Sequence, residues 1–248
     1  MSNTLIRGLS LAVFLLAWML LARLAGDPSV LPPPQGLVEP FISELASGDL
    51  LSSLGITVLR VMAAFVLAMG LGLVLGLLMG TRPAIDRWLD PWLVVFLNLP
   101  ALVLIVLCYL WIGLNEIAAI TAVALNKIPN VATVIREGAR ALNPELKSMA
   151  SVYRVRPYTY LRHFVMPQMA PFIAGASRSG IAVIWKVVLV VEFLGRSSGI
   201  GFQIHLYFQL FDVAMVLTYA LSFIAVMLLI ETLLVQPWET YAARWRKA

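Results

Sequence analysis

GITVLRVMAAFVLAMGLGLVLGLLMG, residues 55–80, is a run of 26 residues interrupted by a single cation, Arg60. A helix rises about 1.5 Å per residue, so roughly 20 apolar residues cross the hydrocarbon core of a bilayer. The run is long enough to cross with some tilt, and too uniformly apolar to present a solvated face. It also places Ala64, Ala68, Gly72, Gly76 and Gly80 at every fourth position. That spacing aligns them on one stripe, along which a neighbouring backbone can come close where lipid gives no hydrophobic drive for helix association. Packing inside the chain and a seam between two copies are both open uses of the stripe.

The rest of the chain has the same character. Of 248 residues, 61% are hydrophobic and 12% charged, against about 45–50% and about 25% in soluble domains. Runs of spanning length lie at about 5–25, 55–80, 92–112, 116–134, 170–194 and 211–236, which predicts an all-α membrane protein of about six transmembrane helices. The first run is read as a retained helix rather than a cleaved signal, because its apolar core is long and Arg23 interrupts the cleavage-like end. Only Gly113-Leu114-Asn115 separates the third and fourth runs, as in a tight hairpin or a re-entrant pair.

The net charge of +5 does not indicate nucleic acid, because the cations punctuate apolar runs instead of forming a hydrophilic face. With the N-terminus inside, Arg7, Arg82, Arg87, Arg136, Arg140, Lys147, Arg154, Arg156, Arg162, Arg244, Arg246 and Lys247 fall on inner segments, and Arg23 and Arg196 on outer ones. This asymmetry predicts that both termini are cytoplasmic. Two hydrophilic excursions remain. The outer one, 26–54, opens with Asp27-Pro28 and Pro32-Pro33-Pro34, then spaces Leu37, Phe41, Leu45, Leu50 and Leu51 as an amphipathic helix lying on the surface. The inner one, 135–168, is the long polar cytoplasmic segment on which a soluble partner would act.

No catalytic constellation is present. The sequence lacks a G-x-x-x-x-G-K-[ST] loop to cradle nucleotide phosphates, so any ATP use must reside on another polypeptide. Cys108 is the sole cysteine, His163 and His205 stand alone, and no Cys/His cluster has metal-ligand spacing. No cofactor is expected on this chain.

Within the inner segment, Ser148, Met149, Ala150, Arg154, Phe164, Met166 and Pro167 fall without a gap on a pattern of Glu-Ala-Ala, a Gly six residues after the Glu, and an Ile-x-Leu-Pro end. In this respect the chain resembles the EAA loop of type I ABC importer permeases, the MetI-like fold. Ala150 and Pro167 keep the family residue; Ser148 replaces its Glu and Arg154 its Gly. Further along, Ser177-Arg178-Ser179-Gly180, Trp185, Glu192-Phe193-Leu194-Gly195 and Gly199-Ile200-Gly201 are similar to the branch that carries nitrate, sulfonates, taurine, bicarbonate and thiamine precursors. Gly48-Asp49-Leu50, Leu99-Pro100-Ala101-Leu102 and Trp111-Ile112-Gly113-Leu114-Asn115-Glu116 look like its earlier segments, so the likeness covers about 48–236.

The resemblance implies a permease subunit, a homodimer working with two cytoplasmic ATPases and an outer solute-binding protein in the bacterial inner membrane, with ATP and Mg confined to the partner chains. It also implies a coupling helix that docks on the ATPase. Met149, Val152 and Tyr153 can form its apolar face, flanked by Lys147, Arg154 and Arg156, with Pro157 ending the helix. Arg154 in place of Gly suggests an altered turn or a charge pair with that ATPase. The expected organisation is 1–50 for the first helix and outer segment, 51–236 for the transport domain, and 237–248 for a basic tail.

Arg178, Trp185 and Glu192 are spaced by seven, which puts them on one helix face, with Lys186 beside it. Ionisable groups at membrane depth usually face protein or water. These four are candidates to line the translocation route; the alternative is structural pairing with Arg60, Glu116, Asp212 or Glu231. Arg60 and Lys127 read as structural. An excess of cations would suit an anionic solute. The other functional reading is a stand-alone ion- or proton-coupled carrier using Glu116, Glu192 and Asp212.

Overall fold

The computed structural model describes residues 3–237, and among them only helices and their connections occur. The chain divides into two compact units, each discontinuous in sequence: one comprises residues up to Thr57 with Glu192–Val226, the other Val58–Val191 with the segment from Met227. Most of the basic tail expected at 237–248 lies outside the described residues.

The first unit contains α1 (Asn3–Ala25), a 3-10 turn (Pro34–Leu37) and α2 (Val38–Ser47). It also holds the start of α3 (Asp49–Thr81), the end of α9 (Met166–Gly195), α10 (Ile200–Gln209) and most of α11 (Val213–Ile230). The amphipathic outer helix is shorter than its spacing predicts. Gly48 separates α2 from α3, so Leu50 and Leu51 belong to the membrane-spanning helix. Leu37 and Leu50 are buried, while Phe41 and Leu45 remain exposed. Before α2, the amide and hydroxyl of Ser29 donate to Asp27 Oδ1 at 2.8 and 2.7 Å, which holds that carboxyl below its usual value.

The second unit contains the rest of α3 with α4 (Pro83–Asn98), α5 (Ala101–Ile112), α6 (Glu116–Arg140), α7 (Pro144–Val152) and α8 (Pro157–Tyr160). A π turn (Leu161–Val165) joins α8 to α9. Among the described residues, five helical stretches are long and apolar enough to cross a bilayer: Gly8–Ala25, Asp49–Thr81, Glu116–Arg140, Pro157–Gly195 and Val213–Leu233. The third run expected at 92–112 is not one straight span. It is part of a pair, α4 and α5, bent by 100°, which makes a sixth crossing only when counted together. The break falls at Leu99-Pro100, where Leu99 is extended at ψ 125, as a residue preceding proline prefers, and Pro100 has no amide to continue the ladder. Asn115 then closes the tight turn into α6: its Oδ1 accepts from Ala118 N at 2.9 Å and its Nδ2 donates to Ile112 O at 2.9 Å.

The small-residue stripe of α3 faces α6. A Cβ on Gly72 would lie 2.6 Å from Val131 Cβ, one on Gly76 2.6 Å from Ala132 O, and one on Gly80 2.7 Å from Arg136 O. Ala64 and Ala68 are wholly buried. α6 is equally pared down, burying Ala118, Ala122, Ala132 and Ala139, so backbones approach and dispersion contacts accumulate. Around this contact, Val131, Ile135, Ala139, Val165, Met169 and Ala176 form the core of the unit.

The π turns have a common cause. Leu161–Val165 precedes Pro167 and Glu231–Val235 precedes Pro237 at the same spacing. A proline ring in a regular helix clashes with the carbonyl four residues back, and one widened turn relieves it. Gln168 Nε2 donates to the Phe164 carbonyl at 2.7 Å beside the first of these turns.

Candidate functional site

The inner segment is mostly helical. α6 runs on to Arg140, Asn143 Oδ1 caps α7 by accepting from Glu145 N at 2.8 Å, and Pro144 occupies the first turn. α7 ends by a two-bond closure in which Val155 N donates to Ala150 O at 2.9 Å and Arg154 N to Ser151 O at 3.1 Å. Arg154 sits in this closure at φ 50, the left-handed region. Arg154 therefore holds a conformation that favours glycine, at a cost of about 1–2 kcal/mol. The expectation that Pro157 ends the helix is corrected: α7 ends at Val152, the left-handed Arg154 follows it, and Pro157 starts α8 from an extended Arg156.

This closure displays the expected face. Val152 is 78% exposed and Tyr153 76%, and Met149 is also exposed, whereas Ala150 is buried against the unit. Lys147, Arg154 and Arg156 are exposed around them, and Ser148 turns its hydroxyl back to Pro144 O at 3.0 Å. Pro167 lies beyond, in the first turn of α9. The surface is an apolar knob in a ring of cations, suited to a partner groove that is apolar at its floor and acidic at its rim.

A feature not read from the sequence stiffens the base of this segment. Arg136 Nη1 reaches Asp90 Oδ1 at 2.5 Å and Asp86 Oδ1 at 3.3 Å, while Arg140 pairs with Asp86 Oδ2 at 2.5 Å and Glu137 Oε1 at 3.1 Å. In the sequence both arginines serve only as markers of the inner side. The signal that carries the pairing is the matched spacing of four, Asp86/Asp90 on α4 against Arg136/Arg140 on α6.

The four candidate route residues are not brought to one surface. Trp185 is buried, Lys186 is exposed, and Arg178 is exposed beside Glu231, its Nε 3.7 Å from Oε1. Glu192 has no exposure at all. Its Oε2 accepts from Thr57 Oγ1 at 3.0 Å and from Gly201 N at 2.9 Å, and Thr57 Oγ1 in turn accepts from Ile200 N at 2.9 Å. The carboxylate thus serves the amino end of α10, whose dipole favours negative charge. Gly199, at φ 101, lets the backbone pass so close that a Cβ would lie 2.6 Å from Glu192 Oε2.

Arg60 is likewise buried and donates to both carboxylate oxygens of Glu116, at 2.8 and 2.6 Å. On the first unit, the Tyr219 hydroxyl bonds Glu44 and its ring stacks on Tyr207 at 5.8 Å. Burial, then the nearby Glu44 charge, pushes the Tyr207 hydroxyl above its usual value. No group of three or more His, Cys, Asp and Glu side chains among the described residues could hold a metal ion.

Comparison with known proteins places this architecture. An aliphatic sulfonates transport permease protein of Bacillus subtilis is 29% identical over 194 residues, 78% of this chain and 70% of that protein. Its Escherichia coli counterpart is 33% identical over 177 residues, 70% and 66% of the two chains. Among solved structures, an amino acid ABC transporter crystallised with histidines superposes with a TM-score of 0.65 at 20% identity, covering 81% of this chain and 98% of its own. Residues 68–236 match the family described as binding-protein-dependent transport system inner membrane component. With that match across most of an all-helical, multi-pass chain, the protein belongs to this family, as a non-enzymatic permease component of an ABC importer.

Proposed function

We propose that this chain, as a homodimer in a bacterial inner membrane with both termini cytoplasmic, passes a small anionic solute received from an outer binding protein. An aliphatic sulfonate is the favoured class. Two ATPase subunits on the cytoplasmic side drive alternating access through the knob of Met149, Val152 and Tyr153. The observation that carries this reading is the exposure of that knob on a short helix whose end is fixed by backbone hydrogen bonds. An apolar group held out in water on a rigid support gains free energy when a partner covers it. A rigid connection through the Arg136 and Arg140 ion pairs can pass displacement into α4 and α6. Nucleotide that binds one arrangement of the ATPases better than the other supplies the energy for switching. The solute class is supported by the sulfonate relatives.

Reconstitution tests it. Liposomes holding this chain, its ATPase and its binding protein are expected to take up an alkanesulfonate only with ATP inside the ATPase-facing compartment. Uptake by the isolated chain driven by an ion gradient contradicts the proposal.

A further inference from the structure

A cavity of about 690 Å³ opens where α3 and α6 end and α7 begins. Its lining is mixed: Leu77 and Leu161 belong to its apolar wall, and Arg82, Arg140, Lys147 and Tyr160 supply polar groups. No carboxylate lines it. Arg140 is already committed to Asp86 and Glu137. Arg82 and Lys147 are exposed and make no ion pair among the described residues.

The cavity is also placed at a defined depth. α3 and α6 are both long and apolar enough to cross a bilayer, and the cavity lies at their carboxyl ends, the level of the headgroups. A small free anion would satisfy the cations and leave the apolar wall wet. A neutral lipid would cover the wall and leave two cations uncompensated. Basic pockets between membrane helices at this level suit anionic headgroups.

We propose that this cavity binds one anionic phospholipid, its phosphate between Arg82 and Lys147 and the upper part of an acyl chain along Leu77 and Leu161. Because Lys147 lies on α7 and Arg82 directly after α3, the bound lipid bridges the coupling segment to a membrane-crossing helix. The site does not depend on which solute is carried.

The test uses the full-length chain in detergent micelles, with native mass spectrometry of added phosphatidylglycerol, phosphatidylcholine of the same acyl chains, and glycerol 3-phosphate. One phosphatidylglycerol per chain is expected to be retained in preference to phosphatidylcholine, and glycerol 3-phosphate is expected not to displace it. Arg82→Gln and Lys147→Gln should each weaken retention about fivefold, at about 1 kcal/mol per cation near a charged headgroup. Arg87→Gln, which removes a cation of α4 outside the cavity, should leave it unchanged, and Arg82→Lys with Lys147→Arg should preserve it. Retention unchanged in the Gln variants, equal loss in Arg87→Gln, loss in the charge-keeping pair, or full displacement by glycerol 3-phosphate overturns the proposal.

Discussion

The seam between α3 and α6 and the turn that ends α7 both involve glycine positions, and they use them for different reasons. At Gly72, Gly76 and Gly80 the backbone is ordinary helix, and the requirement is space: any Cβ would enter the facing helix. At the end of α7 there is space for a full arginine, and the requirement is conformational: φ 50 at Arg154. The first requirement admits no larger residue. The second admits one at a modest cost, as at Arg154. Gly199 combines both, at φ 101 and against the buried Glu192 carboxylate.

Exchanges of glycine for side chains should therefore differ in size and sign across the three places. The largest effect is expected at Gly199. Gly199→Ala meets backbone strain and overlap with Glu192 together, and should destabilise the chain by about 3 kcal/mol or more. A melting temperature equal to wild type in the purified full chain would show that Glu192 does not sit against this backbone. Gly76→Ala should cost about 1–3 kcal/mol by overpacking against Ala132 and Ile135. Gly70→Ala on the same helix, where a Cβ meets nothing within 4 Å, should be neutral or slightly favourable. If thermal melts rank these two variants alike, the seam is looser than described. At the end of α7 the effect is smaller than at Gly199 and has the opposite sign: Arg154→Gly should raise stability by about 1 kcal/mol, the relief of the left-handed residue less the greater freedom of glycine in the unfolded chain. A loss of stability there would mean that the Arg154 side chain contributes contacts worth more than the strain.

Residues 55–80 are legible as a span because a run of 26 residues with one cation is too long and too apolar for a helix with a solvated face. The stripe within them announces close packing without naming its partner. The 100° break between α4 and α5 is not legible. Pro100 interrupts an apolar run, but Pro91, Pro129 and Pro171 sit inside helices, so proline alone does not distinguish a bend from a tolerated residue. At residues 147–156, apolar residues amid cations in a polar segment indicate exposure directly. Glu192 shows the limit of periodicity. A spacing of seven places it on a stripe with Arg178 and Trp185, but its environment is decided by Thr57, 135 residues away, and by the amide of Gly201. The pairing of Asp86 with Arg140 leaves a trace in matched spacings of four, but the spacing does not say which helices meet.

Engagement of the ATPase at the knob formed by Val152 and Tyr153 can be tested by site-directed cross-linking. Cys108 is the only cysteine and is buried, so replacing it with Ser leaves a background in which a new thiol is unique. In that background, Tyr153→Cys and, as a comparison outside the knob, Arg87→Cys are paired with a co-expressed ATPase treated with a short thiol-to-amine cross-linker. The expected outcome is a cross-linked product of permease and ATPase from Tyr153→Cys, altered by nucleotide, and none from Arg87→Cys. Cross-linking from Arg87→Cys alone, with Tyr153→Cys remaining uncoupled from the ATPase, would place the docking surface elsewhere and refute the assignment of the knob.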